Sequence, residues 1–80
     1  MTLKTSQVVS ELEKMVVFER KKLLAYAQRL LPHITPDDIL QPQDYPQLEE
    51  NAEFRYLEGV CIGLETALSA VYALQRENLR

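Results

Sequence analysis

Residues 48–79 read LEENAEFRYLEGVCIGLETALSAVYALQRENL, and this stretch decides the fold. No proline interrupts it and its apolar residues recur at helical spacing, so it predicts one long helix. At 100° per residue, Phe54, Leu57, Cys61, Leu64, Leu68, Val71, Tyr72 and Leu79 fall on one side of that helix. Ala52, Tyr56, Gly59, Gly63, Ala70 and Ala73 fall on roughly the opposite side. Only a narrow seam of Asn51, Glu58, Glu65, Ser69 and Arg76 is consistently polar. A helix that is apolar nearly all round belongs inside an assembly. An 80-residue chain with one other long helix offers it a single partner, so the remaining cover is expected from a second copy or from another protein.

Working outward, all four prolines, Pro32, Pro36, Pro42 and Pro46, lie in one fifteen-residue window. Such clustering is punctuation between two helices. The first helix is expected over 6–31, capped by the hydroxyl of Thr5 or Ser6 and stopped by Pro32, which pushes the preceding residue out of the α region. Val9, Leu12, Val16, Leu23, Ala27 and Leu30 form its stripe, widened by Val8, Met15 and Tyr26, with Glu19 at the edge reaching for solvent or a cation on the neighbouring helix, or else making a buried polar contact that fixes register or partner choice. In the linker, 32–46, Thr35-Pro36-Asp37-Asp38 predicts a capped helical turn through Leu40. Ile34, Ile39, Leu40 and Tyr45 are expected to fold over the end of the hairpin. Asp44 with Gln47 has capping-box spacing for a second helix over 47–79. The predicted fold is all-α: a single-domain antiparallel helical hairpin that assembles as a four-helix bundle dimer.

Charge is divided along the chain. Residues 1–32 carry six basic and three acidic side chains, whereas residues 33–58 carry seven acidic side chains and only Arg55. A hairpin would place Arg20, Lys21, Lys22 and Arg29 beside Glu49, Glu50, Glu53 and Glu58. Each exposed pair is worth at most about 1 kcal/mol, enough to select orientation rather than to hold the fold.

Composition narrows the function. The chain is 46% hydrophobic and 26% charged, as ordinary folded domains are. Its net charge of −3 argues against a primary role on nucleic acid. Arg20-Lys21-Lys22 with Lys14 and Arg29 spreads over half the helix circumference with no interleaved aromatics, so anionic-membrane binding is not expected either. Met1 to Ser6 lacks the apolar core of a signal peptide, and the longest charge-free run, Thr66 to Gln75, is far short of the roughly 20 residues that span a bilayer. A cytoplasmic protein without membrane insertion is expected.

No catalytic, metal or cofactor signature emerges. Cys61 and His33 are the only residues of their types, one on the bulky apolar face and the other in the loop, so the thiol reads as a core residue. A single cysteine cannot form an intrachain disulfide. Glu58 and Glu65 lie on one seam, but carboxylate-bridged metal bundles pair glutamate with histidine on their helices, and neither helix has a histidine.

Gly59-Val60-Cys61-Ile62-Gly63 is the most informative motif. A glycine inside a helix costs about 1 kcal/mol relative to alanine, so two of them one turn apart suggest a close approach of another backbone. Ala52, Tyr56, Gly59, Gly63, Thr66, Ala70 and Ala73 are the candidate partner-binding residues. The visitor is either the first helix of the same chain or a helix from outside. The function expected is a non-enzymatic interaction module, an adaptor or regulatory protein acting as a homodimer. The alternative is a chaperone-like partner that covers an apolar client helix. In length and helix layout the chain resembles the helical-hairpin co-chaperones of bacterial secretion systems that hold needle subunits. An enzyme would require a cleft built only on association.

Overall fold

The computed structural model describes residues 3–78, so the expectation for Leu79 lies outside the described residues. The chain is an all-α hairpin: α1 (Thr5–Leu30), two 3-10 turns (Asp38–Leu40 and Pro42–Asp44), a short α2 (Pro46–Glu49) and α3 (Ala52–Asn78). The two long helices pack along each other, and α2 with the linker folds across their closed end.

Each boundary has a local cause. The N-cap of α1 is Lys4, ahead of the hydroxyls of Thr5 and Ser6. Its backbone N–H donates to Gln7 Oε1 at 2.8 Å, so an amide reaching back does the work expected of a hydroxyl. Leu31 leaves helical geometry before Pro32. The Thr35 turn forms as expected but as a 3-10 turn. Thr35 N–H donates to Asp38 Oδ2 at 3.0 Å, and Asp38 N–H donates to Thr35 Oγ1 at 3.3 Å. The Thr35 backbone donor, and after it the Thr35 hydroxyl, hold the Asp38 carboxyl below its usual pKa. Because the folded value is depressed, the stabilisation is present above the unfolded carboxylate pKa and is lost as pH falls through the folded one. Acidification should therefore loosen the linker, with Thr35 and Asp38 amide resonances shifting together; Asp38→Asn should abolish that acid-dependent step.

The second helix does not begin where the sequence suggests. Asp44 does not cap it; Tyr45 is the N-cap of α2 and Pro46 takes its first helical position. The helix then breaks at Glu50 and restarts. Asn51 is the reason: its Oδ1 accepts the Phe54 N–H at 2.8 Å and the Tyr26 hydroxyl at 3.1 Å. An asparagine suited to capping, held by a tyrosine of α1, terminates one helix and starts the next. Asn51→Ala should cost about 1–2 kcal/mol, read as a lower urea midpoint, because one substitution removes the cap and strands the phenol.

The core is small. Leu23, Ala27, Ile34, Ile39, Leu48, Phe54, Leu57 and Cys61 form one buried cluster, gathered at the closed half of the hairpin from every segment of the chain. Val9 and Leu68 continue it towards the open end. Leu12, Val16, Leu64, Val71 and Tyr72 are only half-buried, and Leu30 and Leu40 are exposed, so the expected lid of Ile34, Ile39, Leu40 and Tyr45 closes with three of its four residues.

Candidate functional site

The surface left uncovered is the candidate site. The molecule measures 45 × 23 × 19 Å, with a radius of gyration of 15.5 Å. A compact chain of this length has a radius near 12 Å. Its accessible surface of 5999 Å² compares with about 5,000 Å² for a folded monomer of its mass. An excess of about 1,000 Å² slightly exceeds what each partner contributes to a standard interface, roughly 800 Å².

On α3 the two faces differ. Its bulky face, with Phe54, Leu57, Cys61 and Leu68 buried, is turned to α1 and the linker. The opposite face is open. Ala52, Tyr56, Gly59, Gly63, Thr66 and Ala70 are exposed, and Ala73 is half-buried. A Cβ placed on Gly59 or Gly63 would meet nothing within 4 Å. The first helix therefore does not use the glycine groove. Of the two visitors considered for it, the one within the chain is excluded by geometry. Ile62 and Leu74 flank the same face and are 53% and 58% exposed, so the patch is larger and more apolar than the small-residue motif alone indicates.

Two polar contacts across the hairpin mark its register. Arg20 Nη2 pairs with Glu65 Oε1, and the Tyr72 hydroxyl donates to Glu13 Oε2 at 2.5 Å, which pushes the phenol pKa up. Both contacts join residues whose numbers sum to 85, so Lys21 and Lys22 lie level with the middle of α3 rather than with its acidic start. The expected pairing of Arg20, Lys21, Lys22 and Arg29 with Glu49, Glu50, Glu53 and Glu58 is thus not found among the described residues. Lys22 pairs instead with Glu19 of its own helix at 3.3 Å, and Glu58 with Arg55 at 3.2 Å. The reason is length: α2 and the restart at Asn51 occupy residues that a single continuous helix would have laid alongside α1. Glu19 meets a cation of its own helix, not the one expected on the neighbouring helix.

The Cys61 thiol is fully buried, and burial pushes its pKa up, while His33 is exposed in the linker. Among the described residues no group of three or more histidine, cysteine or acidic side chains is placed to hold a metal ion. A further surface was not legible in the sequence. Where the linker folds back against α1, Val16, Val17, Leu24, Ile39 and Leu40 line an open groove of about 430 Å³, with the charged side chains of Arg20, Lys21 and Asp37 also in its lining.

An 18-residue window within Ala52–Glu77 has a mean hydropathy of 1.4 and is 17% buried, so by length and composition α3 is apolar enough to cross a membrane. Glu58 and Glu65 interrupt the uncharged run without lowering its average enough to exclude this, contrary to the expectation from run length alone. No known protein family matches the chain, and neither a curated protein nor a solved structure matches it.

Proposed function

We propose that the protein is a non-enzymatic interaction module, a helical hairpin that completes its packing through a second copy of itself and acts as an adaptor or regulatory dimer. The observation that carries this reading is the open face of α3. Its glycines leave room for a backbone, and the chain exposes about 1,000 Å² more than a monomer of its size should. Tyr56, Ile62 and Leu74 on and beside that face are each more than half exposed, and a contiguous exposed apolar patch is the usual mark of an association surface. The cost of two mid-helix glycines, about 1 kcal/mol each, is recovered only if something approaches them closely.

Association in water fits the chain better than insertion in a membrane. The hairpin holds α1 alongside α3, so burying α3 in hydrocarbon would carry Lys14, Arg20 and Lys21 with it. Each charge costs about 2.5–3.5 kcal/mol at mid-bilayer, which outweighs the modest hydropathy of α3. A cytoplasmic location is part of the proposal. The alternative of a chaperone-like partner uses the same face, with a client helix in place of the second copy.

Mass by light scattering over a dilution series, with helicity followed in parallel, tests the reading. A helical species of twice 9.3 kDa that dissociates on dilution is the expected result. A hairpin that stays monomeric and fully helical at high concentration would overturn it.

A further inference from the structure

Val9, Leu23 and Ala27 seat α1 on the rest of the hairpin and leave its outer flank to solvent. By sequence the basic residues of this helix spread over half its circumference with no aromatic among them. The hairpin alters both points. Arg20 is turned to α3, where it pairs with Glu65. The four that remain, Lys14, Lys21, Lys22 and Arg29, are all exposed and fall within an arc of about 100° at 100° per residue. Phe18 lies near the middle of that arc, 63% exposed, with Lys22 Nζ 5.9 Å from its ring centroid. We propose that this face adsorbs to an anionic lipid surface, its cations among the headgroups and Phe18 at the acyl boundary.

Charge on and around the face selects the partner. Among the described residues Lys14, Lys21 and Arg29 belong to no ion pair, and Lys22 pairs only with Glu19 of its own helix. From Lys14 to Arg29 the arc holds no acid. The acids near it lie at its margins: Glu11 one turn before Lys14, Glu13 accepting the Tyr72 hydroxyl, and Asp37 in the groove that Lys21 also lines. The net charge of −3 is carried by residues 33–58, outside α1. Four basic side chains on one helix face are the electrostatic footprint of an anionic leaflet. Phe18, with Val17 beside it, favours a bilayer over nucleic acid or an acidic protein, because a bilayer presents its anions in a plane with an apolar layer directly beneath. The flank of a helix is convex and meets such a plane along its length, about 22 Å from Lys14 to Arg29. A dimer closed through the open face of α3 leaves this face free, since the two are turned away from each other.

Co-sedimentation with vesicles tests the assignment. The wild type should bind phosphatidylcholine vesicles that contain about one third phosphatidylserine, ignore vesicles of phosphatidylcholine alone, and be released by added salt. Each basic residue at such a surface is worth about fivefold in partitioning, so Lys14→Gln with Lys21→Gln should weaken binding about twentyfold and flatten its salt dependence. Phe18→Ser should weaken it several-fold and keep the salt dependence. Arg76→Gln, an exposed cation on α3, should leave it unchanged. All four positions are exposed, and unchanged helicity in each variant separates loss of binding from loss of fold. Equal binding to both kinds of vesicle, or a double variant no weaker than Arg76→Gln, would overturn the assignment. Binding to a polyglutamate peptide or a DNA duplex but not to the anionic vesicles would overturn it too. A wild type that binds these vesicles as a monomer would uphold it while overturning self-association, and a dimer that ignores them would do the reverse.

Discussion

Phe54→Ala is expected to unfold the hairpin. Phe54 is fully buried and sits where α1, the linker, α2 and α3 converge, in one cluster with Leu23, Ala27, Ile34, Ile39, Leu48, Leu57 and Cys61. Truncating a buried phenylalanine costs about 3–5 kcal/mol in lost transfer energy and residual cavity. At roughly 0.05–0.15 kcal/mol per residue, a domain of this length has about 4–12 kcal/mol in total. The change therefore removes about a quarter of the stability at the least, and at the low end of total stability most or all of it. A far-UV circular dichroism melt should show a lowered midpoint or no cooperative transition at 25 °C. Leu64→Ala is the informative comparison. By sequence Leu64 belongs to the central face of α3 and its truncation should unfold the hairpin, but it is only half-buried, so about half the cost of a core leucine is expected. A Leu64 variant less stable than the Phe54 variant would contradict this placement of the core.

Gly59→Leu combined with Gly63→Leu should have the opposite signature, stabilising the hairpin while abolishing the dimer. Neither glycine has a neighbour within 4 Å to resist a new side chain. Replacing a mid-helix glycine by a good helix former gains roughly 0.8–1 kcal/mol, so the pair should raise the stability of the isolated hairpin by nearly 2 kcal/mol. In the dimer, two leucines on the open face hold the partner away by the width of a side chain, and close-packed interfaces do not tolerate such a gap. The variant should be more helical at high dilution than the wild type and should scatter as a monomer. A double variant that retains the wild-type dimer mass would show that the glycine face is not at a close contact.

What the sequence made legible, and what it did not, follows from the range of the interactions. The hairpin, the Thr35–Asp38 capped turn and the bulky face of α3 rest on spacing within a few residues, and all three are found. The break before Ala52 depends on Tyr26 holding Asn51 from another helix, and nothing within a local window separates that asparagine from one on a polar seam. The cross-hairpin charge pairs failed for the same reason. Pairing partners depend on register, and register depends on how many residues α2 and the linker consume. The glycine face was visible as a pattern, while its vacancy became clear only with α1 seated on the other side. The groove beside Lys21 could not be read at all, because Val17 and Leu40 are neighbours only after the linker folds back along α1.

The central claim is that the open face of α3 is covered by a second copy. Isotope-filtered nuclear Overhauser spectra of an equimolar mixture of labelled and unlabelled protein test it directly, since only contacts between chains give signal. Cross-peaks from Gly59, Gly63 and Ala70 to the other copy are predicted. A dimer whose intermolecular cross-peaks bypass α3, or the absence of any such cross-peak at concentrations where the protein is fully folded, would contradict it.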